Sequence, residues 1–370
     1  MKRLFIITVV LLLFLPLKVS AAELSVFDSE IQGIEDAVPD DTSQALSDMQ
    51  MGSVEDLIQH GIDMSSLMLY GGELLQTYMN TPFSVMLLLI IVIILASVAE
   101  SYSYSLRYTD TRDIMGVVVS LYIATVFISP VSELIDSSVI VIQGASAIMT
   151  AYLPVMAGIM AFSGRVITSA GYYAAAATAA TLIAKLSASV LSPLLKLFLS
   201  LSVSAGVCPR MRMNGIIEMT SKGFKWLLTF SMAVFTAVIG LNTALAKAGD
   251  TVAGRAAGFT LTSLVPIIGS SIAEAYKTIQ GSLGVLRSGA GVFVILSVAI
   301  SFAPLIIKAV LWSVALYITK LTQDALSVNS TARIINALSS FMAALRAMLT
   351  AVMTAFIISS AAMLSVGGAS

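Results

Sequence analysis

Between residues 22 and 82 this 370-residue chain has no lysine and no arginine, although the same stretch carries twelve aspartates and glutamates. Positive charge is what the cytoplasmic side of a membrane retains, so a segment without any is suited to export. Cysteine is nearly absent as well. The lone Cys208 excludes an internal disulfide framework and any CxxC metal or redox pair. The single histidine, His60, falls in the acidic stretch, so no histidine-based metal site can be assembled and none is expected. No GxxxxGK[ST] loop occurs, which leaves any ATP-driven work to a partner. Charged residues are scarce too, at 11% against about 25% in soluble proteins. No segment interleaves cations with aromatics on a soluble face, so nucleic acid is not an expected partner.

What is present is apolar: 58% of the chain is hydrophobic, more than a soluble fold of this size can hide. The expected fold class is all-α, a polytopic helical membrane protein of about 7–10 transmembrane segments. The expected layout is a signal peptide over 1–22, an acidic extracytoplasmic segment over 23–82 and a multi-span membrane domain over 83–370. Lys2 and Arg3 begin the leader, and an apolar run and small residues near Ala21 complete it. Hydropathy selects 83–99, 114–132, 139–162, 166–184, 186–206, 226–246, 257–273, 288–307 and 347–366 as spans. If each crosses once from outside, loops 100–113, 163–165, 207–225 and 274–287 are cytoplasmic. Those loops hold nine cations, against Lys185, Lys247 and Arg255 in the external segments. Beyond Lys308 two readings stay open: a helix pair broken at Pro304, or a re-entrant or interfacial stretch over 309–320. The side of the C-terminus depends on that choice.

In the acidic stretch, Pro39-Asp40-Asp41-Thr42 reads as a turn, and Ser53 before Glu55 and Asp56 as a helix start. Val54, Leu57, Ile58, Ile62, Leu67 and Leu69 form the apolar stripe of one or two short helices. So few apolar residues make a weak core, and such helices need a partner or a membrane surface.

Several stretches resemble the stage III sporulation protein AE family of endospore-forming bacteria. The resemblance rests on Arg255-Ala256-Ala257-Gly258, Leu264-Val265-Pro266-Ile267-Ile268-Gly269, Ile272-Ala273-Glu274-Ala275 and Leu286-Arg287-Ser288-Gly289-Ala290-Gly291. It continues through Ala303-Pro304-Leu305-Ile306-Ile307-Lys308 and Tyr317-Ile318-Thr319-Lys320. Gly269-Ser270-Ser271 departs from the pattern, which has paired glycines after the proline. The resemblance implies a non-enzymatic subunit of a channel complex joining mother cell and forespore, working with sister subunits and needed for late forespore gene expression. It places the protein in the mother-cell membrane around the forespore, with the mature N-terminus outside the cytoplasm and lipid around its spans. It implies no catalytic residue and no cofactor.

The residues with most physical content are Gly254 and Gly258, a GxxxG face for close helix packing, and Pro266 with Gly269, which interrupt a span. They describe either a broken helix lining a pathway or a kinked packing helix. Lys185 and Lys196 are the other candidates, because cations inside a membrane are functional by default. Eleven residues apart, they share a face if the helix between them is continuous, but Pro193 intervenes and Lys185 can snorkel. All nine acids after position 83 fall in expected loops or span ends, so no carboxylate relay for proton coupling is expected. The alternative function is a self-contained secondary transporter or permease. That class shows matching broken helices in two halves, and no counterpart of 257–273 is found upstream.

Overall fold

A computed structural model describes the backbone of residues 28–106, 109–162, 166–207, 214–264, 269–328 and 331–368, and side chains within these outside 28, 103–113, 162, 166–168, 205–214, 241–283 and 365–368. The description is 94% helical with no strands. The expected signal peptide lies outside the described residues, and no side chain of the Gly254–Gly269 window is described.

Three short helices come first: α1 (Asp28–Asp36), α2 (Asp40–Asp48) and α3 (Val54–His60). The expected turn at Pro39–Thr42 is instead the start of α2. Proline suits a helix entry, and Asp40 and Asp41 meet the positive end of the dipole. Ser53 caps α3 as expected, accepting a 3.0 Å bond from the Asp56 amide. Gly61 then leaves the helix at a φ of 75°, left-handed space open to glycine. Asp63 opens the next helix by accepting from the Ser65 amide and from the Ser65 and Ser66 hydroxyls.

Long helices follow: α4 (Met64–Leu106), α5 (Thr109–Phe162), α6 (Val166–Leu186), α7 (Ser192–Val207), α8 (Asn214–Leu264), α9 (Gly269–Ala325) and α10 (Ala332–Gly368). A π-helical turn at Ser187–Leu191 joins α6 to α7. Counting α6–α7 as one column, six helices are long and apolar enough to cross a membrane. The polytopic all-α reading holds, with the apolar segments of the sequence merged onto fewer, longer helices.

The merging corrects three expectations. Residues 114–132 and 139–162 share α5, 54 residues long, so Glu133 and Asp136 sit inside a helix and not in an external loop. Because α5 is one helix, Thr109 and Phe162 lie at its opposite ends. The expected cytoplasmic loop 163–165 lies outside the described residues. Residues 274–287, expected as a loop, are helical within α9, and α9 continues through Pro304 and 309–320. A proline deletes one backbone bond and crowds the preceding turn, but a helix of 57 residues retains enough other bonds and packing to pass through it.

Cross-helix contacts fix the arrangement. Phe127 meets Trp312 edge-on at 4.8 Å, and Phe198 lies 5.9 Å from Phe341. The Tyr172 hydroxyl donates to the Ser359 carbonyl at 2.8 Å, and Arg287 Nη2 donates to the Met363 carbonyl at 3.2 Å. The columns thus alternate in direction. Leu106, Thr109, Val207, Asn214, Ala325 and Ala332 gather at one end, the basic end. The C-terminal turn of α10 lies at the other with α1–α3, the acidic end, which answers the question the sequence left open relative to the acidic segment.

The short helices are docked there. Thr42 and Ser301 share a buried 3.0 Å hydrogen bond between α2 and α9. Ile58 and Val54 of α3 lie over Gly289 of α9, where an added Cβ would sit 2.6 Å from Ile58 Cγ1. The Val54 amide donates to Glu35 at 2.9 Å, tying α3 to α1. Ile34, Leu46, Met51 and Val54 are buried as a result. The stripe expected at 54–69 is half right: Val54, Leu57 and Ile58 are buried, whereas Leu69 is exposed.

Candidate functional site

Two kinds of surface divide the bundle. Toward the basic end, α4 exposes Phe83, Leu87, Leu88, Ile91, Ile94, Leu95, Val98 and Tyr102. Ile114, Met115, Val118, Leu121, Tyr122 and Ile128 of α5 and Val310, Val314, Tyr317 and Leu321 of α9 are exposed at the same height. Toward the acidic end α4 stays apolar and exposes Met64, Met68, Leu69, Leu75 and Met79, whereas the described outward residues of α5, α6 and α10 change character. On α5 they are Gln143, Ala147, Thr150 and Pro154, and on α10 Thr350 and Thr354. On α6, Ala174, Thr178, Thr181 and Lys185 join Tyr173 and Leu182. The apolar residues of 284–309 in α9 are largely buried by other helices and by α1–α3 rather than exposed.

Charges mark the border between the two surfaces. Lys196 Nζ lies 2.5 Å from Asp136 Oδ1, an ion pair whose side chains are both about half exposed. Lys308 Nζ sits 4.3 Å from the centroid of the Tyr78 ring, a cation–π contact. Ser137, next to Asp136, lines one cavity together with Lys308 and Tyr78, so both pairs stand at one level.

Of the residues expected to carry function, Lys196 gains an acidic partner that the sequence had assigned to a loop. Lys185 is exposed in the last turn of α6. The π turn between them adds a residue to one turn, rotating the helix by about 100° relative to an uninterrupted one, so the two lysines do not share a face. Gly254 and Gly258 belong to α8 and Gly269 opens α9, but their surroundings and Pro266 lie outside the described residues. Among the described residues two other glycines admit close packing. Gly289 receives α3, and at Gly291 an added Cβ would collide with the Leu364 side chain of α10. Both stand in the Leu286–Gly291 motif that carried the family resemblance, and their signal was the small-residue spacing itself.

Inside the acidic half lies a polar core. Arg287 is 8% exposed, Tyr172 is bonded to α10, and the buried hydroxyls of Tyr152 and Ser359 have no hydrogen-bond partner. Burial there serves packing between helices, and among the described residues no three His, Cys, Asp or Glu side chains converge as a metal site. In the docked helices, partial burial raises the Glu35 carboxyl above its ordinary value. Asp63 is held down at about 2 by the hydroxyls of Ser65 and Ser66 and the Ser65 amide.

The fold and its surfaces define a polytopic helical-bundle membrane protein with an acidic cap packed on one end. A sequence model of the stage III sporulation protein AE family matches residues 50–367, and the chain belongs to that family. No curated protein and no solved structure matches it.

Proposed function

We propose that this chain is a non-enzymatic membrane subunit of the sporulation channel complex that links mother cell and forespore and sustains late forespore gene expression. Membership of the family over residues 50–367 carries this reading. The sister subunits of the complex are its partners, and it needs no cofactor of its own. Its place is the mother-cell membrane around the forespore.

The bilayer surrounds the basic half alone. The exposed apolar run 83–102 spans roughly 30 Å at 1.5 Å per residue, the thickness of a hydrocarbon core. Lys308 and Tyr78, with Asp136 and Lys196, stand at its outer edge, where snorkelling cations and amphipathic rings settle. The segments joining helices at the basic end contribute Arg107, Arg210 and Arg212, with Arg112, Lys222 and Lys225 close by. That end faces the cytoplasm under the positive-inside rule, and the acidic end with both α1–α3 and the C-terminal turn faces outward.

Copurification from engulfed sporulating cells tests the subunit reading: sister subunits accompany the protein if it holds, and a protein that purifies alone with full transport in vesicles supports the permease. Reporter fusions at Gln59 and Asn214 test the orientation, with cytoplasmic activity expected at Asn214 and not at Gln59.

A further inference from the structure

Where α2 leans on α4, α5 and α9, the acidic half contains a cavity of about 740 Å³ that opens to the outside. Among the described residues, Asp41 and Asp48 of α2 and Glu73 of α4 line it, against one cation, Lys308, which is already engaged with Tyr78. Two of its lining residues are large, apolar and unpaired with protein: Leu69 is 74% and Ile140 68% exposed. Both lie above the level of Lys308, Leu69 on a face of α4 that also exposes Met68 and Leu75, and Ile140 on α5 one turn before the exposed Gln143. On its α9 wall Pro304 has no amide proton to give the Ile300 carbonyl, so that acceptor loses its helical partner.

An acidic rim beside exposed apolar side chains in a cleft between helices matches one kind of occupant. We infer that this cavity docks an amphipathic helix bearing lysine or arginine, contributed by the extracytoplasmic part of a partner subunit. Its apolar face covers Leu69 and Ile140, and its cations reach Asp41, Asp48 and Glu73, the helix-in-groove mode of recognition. A phospholipid headgroup is disfavoured because three carboxylates repel its phosphate. A second copy of this chain is disfavoured because its own segment 22–82 has no cation to offer. The inference rests on the subunit reading above and adds the face and the chemistry of one contact.

The test places a photo-crosslinking amino acid at Leu69, and at Thr150 as control, in the full-length protein in sporulating cells. The expected result is an adduct at position 69 whose cross-linked peptide has net positive charge and apolar residues at three- and four-residue spacing. Asp41→Lys combined with Glu73→Lys lowers its yield at least fivefold, whereas Asp28→Lys with Glu30→Lys leaves it unchanged. In membranes isolated before irradiation, the wild-type yield falls as salt is raised, a readout that needs no variant to fold. An adduct with lipid, with another copy of this chain or with a peptide lacking cations overturns the inference. So does a yield indifferent to charge and salt, or no adduct while the sister subunits still copurify. Absence of copurification itself counts against the subunit reading instead.

Discussion

The two halves of the bundle are built from equally apolar sequence yet, outside α4, present different surfaces. In the basic half the large side chains of α4, α5 and α9 point outward, and lipid is the environment that suits them. In the acidic half comparable residues of α9, from Phe293 to Val298, point inward and are covered by α10, α5 and the three docked helices. Hydropathy measures apolar content and is blind to what covers it. A helix buried in protein and a helix buried in lipid read alike, and only the outward residues separate them.

Charge placed on the two surfaces should break the symmetry of hydropathy most strongly. Ile91→Asp sets a carboxylate in the apolar belt at about 2.5–3.5 kcal/mol near a span centre, and it should cut membrane insertion severely. Thr150→Asp, on a segment of similar hydropathy, should insert and accumulate as the parent does. Carbonate extraction and quantitative blotting of the two variants measure the contrast.

Next in size is the seam between cap and bundle. Gly289→Leu drives side-chain atoms into Ile58, an overpacking cost of about 1–3 kcal/mol. Hydrogen exchange over 54–60 should rise while 83–98 stays protected. Equal loss of protection in both would mean that the cap is not a separately removable layer.

The border charges come third. Both members of the Lys196–Asp136 pair are about half exposed, so Lys196→Gln should cost no more than about 1 kcal/mol after solvent screening. Sporulation should remain near normal with Lys196→Gln or Lys185→Gln, and fall with Gly258→Leu or Pro266→Ala. Spore counts decide between a packing role for 254–269 and a charged pathway through 185–196.

The smallest effect is at the start of α4. The Asp63 carboxyl is depressed from 3.8 to about 2, so its contribution is fully present above the ordinary value and is lost as pH falls toward 2. Carboxyl-carbon NMR should find Asp63 titrating near 2, well below the ordinary aspartate value of 3.8. A value at the ordinary position would remove the proposed anchoring of the helix start by Ser65 and Ser66.

Much of this architecture was legible in the chain. The charge-free run 83–99 and the Ser53 helix start each follow from a local rule, and each is found where expected. The single helix through Glu133 and Asp136 was not legible, because two acids between apolar runs look like a loop until Lys196, sixty positions away, appears beside one of them. The docking of α1–α3 was equally hidden, since it depends on Gly289 and Ser301 lying under residues 42–58. The candidate glycines at 254 and 258 follow the same small-residue logic as Gly289 and Gly291, which the sequence marked as part of a motif without indicating what they admit.

The most direct test of the half-immersed bundle uses a Cys208→Ser background with single cysteines at Ile91 and Thr150, each carrying a fluorophore, in bilayers of lipids brominated along the acyl chains. The account predicts strong quenching at position 91 and little at 150, with position 150 also open to a membrane-impermeant thiol reagent added on the acidic side. Equal quenching at the two positions would contradict it, because both halves would then lie in lipid.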